Sequence, residues 1–495
     1  MAFNSDKIAR MIGIDLVLVL VIGGFTTASL TLATRLETKW LVFVILSSIA
    51  MSVSFIIKER EKFFLYASVF FLAVNLDFHL WRYHSLLIRP ISGIVITGID
   101  IPIFFLYFFW ITRLATNWGE GIRLFPRMSS VMFIVWMIIA AGLPRSTAPF
   151  AVKIWMLWMM FENWLIFIYV ANNVNDEKTI RTIIFLFVIV VFGQSLVGML
   201  QWASNSTLGL EIFGEIKGEL TQAHAGLSTI SRVGGTLGHP NALSLFFTFF
   251  VPIFVALAYA PLPGRIRFCI IMVIIASLFT DILTASRMGW LSIFMSLAMC
   301  FNWCIAKTSR HKYAASIVGS FLVIVIVMGS VGLIPPIKKR FFEDDYGAAK
   351  IRIPLAIVAL NVIQSYFWLG TGLGEYTNTA IFHDTTDIAV QSLGNFPHPV
   401  HNEFLLIMAE IGVPGFFLYM TIYAFCFWDL LKLSRIKEDP ILMFTAIGLF
   451  CGLAGTLACL QGGWSYILLN KRYWFFFGFI QALSQYAKIH YGKVK

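Results

Sequence analysis

Apolar runs of about 20 residues, broken by short polar stretches, recur along the whole chain. They fall near 12–33, 40–57, 63–81, 92–112, 129–147, 151–172, 180–203, 240–260, 267–284, 288–306, 314–335, 403–430, 440–460 and 472–488. A run of that length crosses the hydrocarbon core of a bilayer as a helix. Its backbone must satisfy its own hydrogen bonds there. The pattern therefore predicts an all-α, polytopic transmembrane helical bundle of 12 to 14 spans, with the lipid bilayer as its solvent. The alternating ten-residue segments of a membrane barrel are not seen.

Two stretches interrupt the pattern, 204–239 and 336–402, both richer in Gly, His and charge than their surroundings. They divide the chain into N-terminal spans (1–203), a first loop (204–239), middle spans (240–335), a long loop (336–402) and C-terminal spans (403–495). Within the long loop, apolar residues at 351, 355, 358, 362 and 363 keep near-helical spacing. That predicts an amphipathic helix over 348–367, lying on the membrane surface.

Composition agrees: 59% of residues are hydrophobic and only 13% charged. The net charge of +11 does not point to nucleic acid, because the cations sit in short clusters between spans. With the N-terminus cytoplasmic, 21 of the 37 Lys and Arg residues fall inside, and five of the other 16 lie in the long loop. The positive-inside rule then places both termini in the cytoplasm and exports the two loops. The first span, after Lys7 and Arg10, lacks a convincing cleavage site and is read as an uncleaved anchor. The six cysteines lie in or beside apolar spans, so neither disulfides nor a metal site is expected.

Four motifs carry candidate chemistry. Ser231-Arg232-Val233-Gly234-Gly235-Thr236-Leu237-Gly238-His239-Pro240-Asn241 leads into a span. Its helix start favours anions, and Arg232 suits a phosphate. His239 fits a helix cap. Thr284-Ala285-Ser286-Arg287-Met288-Gly289-Trp290 puts Arg287 between two apolar runs, either lining a polar cavity or pairing with Asp281. Phe396-Pro397-His398-Pro399-Val400-His401-Asn402-Glu403 enters the next span, and His401 is a candidate general base. Glu410 lies about 13 Å deeper along that helix and is read as structural or paired with an arginine. Arg352 opens the predicted surface helix, followed by the turn Gly370-Thr371-Gly372-Leu373-Gly374. The acids Asp15, Asp77, Asp100 and Glu162 are assigned to apolar spans, where they form local pairs or serve a proton-coupled transporter.

In this order the motifs resemble the bacterial O-antigen ligase and polymerase superfamily, over roughly 200–430. The resemblance implies a GT-C-like glycosyltransferase of the bacterial inner membrane, with its site facing the periplasm. The implied donor is an undecaprenyl-diphosphate-linked oligosaccharide. The implied glycan acceptor is a lipid-linked repeat unit for a polymerase, or lipid A-core for a ligase. No metal, nucleotide or other cofactor is implied, and no nucleic acid. Arg232 and Arg287 match the arginines that hold the diphosphate, and His401 the histidine that activates the acceptor hydroxyl. Arg352 matches the arginine opening the surface helix. His398, His239, Asn402 and Glu410 are expected to contact substrate beside them. Met288 stands where the family often carries Gly, and Pro354 falls early in the surface helix. A lipid-linked sugar flippase or transporter is the alternative from another class.

Overall fold

The computed structural model describes residues 57–82, 93–116, 121–225, 228–309, 350–386 and 399–492, with the isolated positions 45, 47, 48, 52 and 338. The predicted spans 12–33 and 314–335, nearly all of 40–57, and His398 lie outside the described residues. The described elements are α1 (Arg60–Phe71), β1 (Asp77–Arg82), β2 (Gly93–Thr97), α2 (Asp100–Thr116), α3 (Pro126–Gly142), α4 (Phe150–Asn173), α5 (Glu177–Ser204), β3 (Thr221–Ala225), β4 (Ser228–Arg232), α6 (Pro240–Ala258), α7 (Gly264–Leu283), α8 (Arg287–Thr308), α9 (Arg352–Ser365), α10 (Tyr376–Ala380), α11 (Glu403–Leu433), α12 (Pro440–Cys459) and α13 (Lys471–Tyr491). The protein is an all-α membrane bundle. Among the described residues, eight helices are long and apolar enough to cross a membrane.

Helix α6 is the centre of the bundle. Its sequence PNALSLFFTFFVPIFVALA is apolar on every side, which suits a helix surrounded by other helices. Helices α7, α8 and α12 pack around it. The α6–α12 contact is close because Gly448 and Gly452 of α12 lie directly against the backbone at Pro252–Ile253 and Phe249; a Cβ at either position would collide with that backbone. This small-residue spacing lets membrane helices approach without a hydrophobic driving force between them. A second buried helix, α13, packs against α4 and α11. The outward side chains are as apolar as the core: Phe133, Phe150, Phe268, Met295 and Phe417 are all exposed. That surface suits hydrocarbon rather than water as solvent.

Two predicted spans are corrected. The run 63–81 ends as a helix at Phe71, and 77–82 is the strand β1, paired antiparallel with β2. The run 92–112 begins as β2 and becomes helical only at Asp100. Twelve residues of α1 reach about 18 Å, short of the roughly 30 Å core. Period-two residues such as DFHLWR and GIVIT were hidden inside apolar runs long enough to read as helix. Asp77 therefore lies in a strand rather than a span.

The predicted surface helix is α9, but it is not amphipathic. Leu355, Val358, Ala359, Val362 and Ile363 are buried, while Ile353, Ile357 and Leu360 are exposed. Both faces are apolar because one packs against α11, and the other is composed like the lipid-facing surfaces of the bundle. Its partner α11 is broken at Gly412, whose backbone (φ 77, ψ 163) is open essentially to glycine alone. Pro414 has no N–H to offer the Glu410 carbonyl; Gly372 N–H donates to that carbonyl instead (3.0 Å). Thr371 N–H donates to Ala409 O (2.8 Å) and Val413 N–H to Phe367 O (2.9 Å). The segment after α9 thus completes the broken helix. Residues 413–433 still reach about 31 Å, enough to cross a bilayer.

Candidate active site

The first arm of the site is the loop 232–239. Two glutamines of α5 hold it, seven residues apart and so on one face. Gln201 Oε1 accepts from Gly235 N–H (2.9 Å) and Gly234 N–H (3.3 Å). Gln194 accepts from Thr236 N–H (3.1 Å) and donates to Thr236 Oγ1 and Ala73 O. Glu215 fixes Gln201 in turn (2.7 Å). Gly235 adopts a left-handed backbone against Gln194 and leaves no room for a Cβ. Two glutamines in an otherwise apolar span were the sequence signal for this scaffold.

The loop delivers Arg232, which is buried. Its Nε donates to Thr284 O (2.8 Å) and its Nη2 to Asn241 Oδ1 (2.7 Å). It therefore ties the first motif to the second. His239 is the N-cap of α6, its Nδ1 accepting from Asn241 N–H (3.1 Å). That bond requires the neutral ring with its proton on Nε2. The ring has accessible surface yet stands in a protein-lined recess. Lost hydration first, then the nearby Arg232 and His401, pull its pKa down to about 4.

The second arm is the turn Thr284–Ala285–Ser286. Ala285 is left-handed (φ 50), and Ser286 caps α8 through Gly289 N–H (3.4 Å). Arg287 is the first residue of that helix. Asp281 is buried, and its carboxylate accepts from Ser244 Oγ; Trp290 Nε1 donates to its carbonyl (2.9 Å). The α6–α8 approach depends on Gly289, where a Cβ would fall inside the Ser244 hydroxyl.

The third arm joins His401 to the loop after α12. Asn402 caps α11, accepting from Phe404 and Leu405 N–H (3.0 and 3.1 Å), and its Nδ2 donates to Gln461 Oε1 (3.2 Å). Glu403 is fully buried and accepts three backbone N–H groups, from Ser465 (2.6 Å), Tyr466 (3.1 Å) and Ile467 (2.8 Å). Both residues following His401 are thus fastened to 461–467. Sequence reasoning missed Glu403 and this loop.

The three arms and α9 enclose a cavity of about 650 Å³. Arg232, His239, Arg287, Arg352 and His401 all line it, with Ser286, Met288, Gly462, Trp464 and Ser465 among the rest. No Asp or Glu is among its described lining residues. The N-terminal ends of α6, α8, α9 and α11 meet there, through His239, Arg287, Arg352 and His401 respectively. Each helix start carries about half a positive charge. Three guanidinium groups and four such ends make a recess suited to a polyanion. Met288, where the resembled family often has Gly, packs on Gly462 and so keeps the wall closed.

Two predicted substrate contacts are placed elsewhere. Asn402 serves as a helix cap and is not among the lining residues. Glu410 is buried away from the cavity, with its carboxylate beside the Gly374–Tyr376 backbone. Of the acids of the transporter reading, Asp15 lies outside the described residues and Asp77 is in β1. Asp100 and Glu162 share Lys471 as an ion partner.

Residues 270–420 match a protein family described as O-antigen ligase. The matched segment includes Arg287, Arg352 and His401; Arg232 and the loop 461–467 fall outside it. No curated protein matches the chain.

Proposed function

We propose that this chain, which its segment 270–420 places in the O-antigen ligase and polymerase superfamily of surface-polysaccharide synthesis, transfers a glycan from undecaprenyl diphosphate to a sugar hydroxyl on the periplasmic side of the inner membrane. The observation that carries the reading is the cavity shared by Arg232, Arg287, Arg352 and His401, with no Asp or Glu among its described lining residues.

The chemistry follows from those groups. The leaving group is a diphosphate, whose charge grows as the anomeric C–O bond breaks. Arg287, Arg232 and the helix ends stabilise that growing charge in a site that needs no reorganisation. His401 takes the proton from the acceptor hydroxyl as the new C–O bond forms. The electron pair of the broken bond leaves with undecaprenyl diphosphate. Direct displacement of this kind inverts the anomeric carbon and routes no step through a metal. Arg352, on the covering helix α9, closes the site over the phosphates.

The acceptor we favour is a second lipid-linked repeat unit, which makes the protein a polymerase. The description of the matched family favours the other acceptor, lipid A-core. Gel analysis of surface polysaccharide from a deletion strain separates them. Single-repeat product marks a lost polymerase, and full-length polymer absent from lipid A-core marks a lost ligase. For the chemistry, Arg287→Ala and His401→Ala abolish product in a reconstituted assay; near-normal turnover by both variants refutes the assigned roles.

A further inference from the structure

The guanidinium groups and imidazoles of the cavity recognise phosphate and hydroxyl groups, and its aliphatic residues such as Leu245, Met288 and Leu460 give a sugar ring no broad flat face to stack on. Trp464 is the one Phe, Tyr or Trp among the described lining residues. Its indole is half-buried. On one side it packs with Tyr466 against the apolar cluster formed by α9 and α11, which includes Leu355, Val358 and Leu406. The Tyr466 ring meets it edge-on, with centroids 5.4 Å apart at 65°. Trp464 also lines the cavity that holds His401 and the arginines.

The backbone under this indole is built to hold it still. The next three N–H groups, of Ser465, Tyr466 and Ile467, all donate to the buried Glu403 carboxylate. Tyr466 is held in the left-handed region (φ 46), a strained state for a bulky residue that persists only where surrounding contacts impose it. Gly462, two residues earlier, lies so close to Met288 that a Cβ there would overlap its side chain. Strain of this kind, rigidly supported, holds the loop in one conformation beside the cavity.

We propose that Trp464 is a stacking platform for the pyranose ring next to the bond being made. This rests on the transferase reading above and adds the sugar-binding surface to it. The physical basis is the indole quadrupole: its electron-rich face attracts the polarised C–H groups of a sugar. Rigid mounting means that little side-chain freedom is lost on binding. The ring belongs to the donor's first sugar or to the acceptor's terminal sugar.

The test uses the full-length protein in nanodiscs. Trp464→Phe keeps turnover within about threefold. Trp464→Leu, apolar but not aromatic, raises KM about tenfold, as a lost stacking contact gives. A rise confined to the donor or to the acceptor supports the platform and says which sugar it holds. An equal KM in the Leu and Phe variants overturns it, since an apolar filler or a prenyl contact would then suffice. A second measurement does not depend on the Leu variant folding. Wild-type protein is labelled with 5-fluorotryptophan, and the Trp464 resonance is assigned by its absence in Trp464→Phe. That resonance moves on adding glycan-linked undecaprenyl diphosphate and stays in place with undecaprenyl diphosphate alone. An equal shift with both overturns the proposal. Glycan transfer with an unmoved resonance sinks the platform alone, whereas a moved resonance without any transfer sinks the transferase reading and leaves the sugar site.

Discussion

The carboxylate of Glu403 is the point at which a single atom change should loosen the candidate site. Its oxygens accept three backbone N–H groups at 2.6 to 3.1 Å with no surface exposed to solvent. Three donors and a helix start suit the ionised form. Glu403→Gln keeps the shape and one acceptor. If the amide oxygen stays with Ser465 and Tyr466, the NH2 group points at Ile467 N–H, donor against donor. The loss is one charge-assisted bond, about 1.5–3 kcal/mol, plus a buried unsatisfied N–H, about 1–3 kcal/mol. Relief from burying a charge offsets part of that, leaving a local cost of about 2–5 kcal/mol. At about 1.4 kcal/mol per factor of ten, the loop 463–467 opens at least some thirtyfold more often. Amide exchange read by mass spectrometry reports this directly: protection at Ser465–Ile467 drops by at least that factor while α6 and α12 keep theirs. Turnover falls with it, because the same loop carries Trp464 and is fastened beside His401. Exchange within threefold of wild type, together with normal turnover, would refute the assignment of Glu403 as the pin of this wall.

Other perturbations probe the remaining arms. Gly289→Ala forces a methyl into the Ser244 hydroxyl and should destabilise the fold by about 3 kcal/mol or more, read as a lowered melting temperature. Arg232→Lys cannot bond both Thr284 O and Asn241 Oδ1, so transfer activity falls sharply although the positive charge remains; turnover in nanodiscs checks this. Because folded His239 titrates near 4, below the usual 6.5, the unfolded chain binds a proton between those values and the folded chain does not. Its contribution to stability is therefore lost as pH falls from about 6.5 towards 4. His239→Asn, which keeps a capping oxygen, should lose less melting temperature than wild type between pH 7 and 4.5.

The sequence by itself determined the solvent and the class of fold, because a bilayer demands apolar runs of fixed length and internally bonded backbone. It also picked out Arg232, Arg287, Arg352 and His401, since ionisable groups at span ends are costly and few. What it left undecided was whether an apolar run is one helix or a strand followed by a helix. An apolar run of spanning length reads as helix even where a short stretch of it, such as DFHLWR, alternates with the period of a strand. It could not assign Asn402 or Glu410 either. A polar residue at a helix entrance caps or contacts substrate with the same letters, and only the tertiary structure shows Asn402 turned to the α11 backbone and Glu410 to the Gly374–Tyr376 turn. The convergence of four helix starts, the glutamine scaffold of α5 and the pinning of Trp464 by Glu403 join residues far apart in the chain: Gln194 and Ala73 are 121 positions apart, and Glu403 and Ile467 are 64 apart. No local pattern encodes such contacts, because they arise only when separate spans pack against one another.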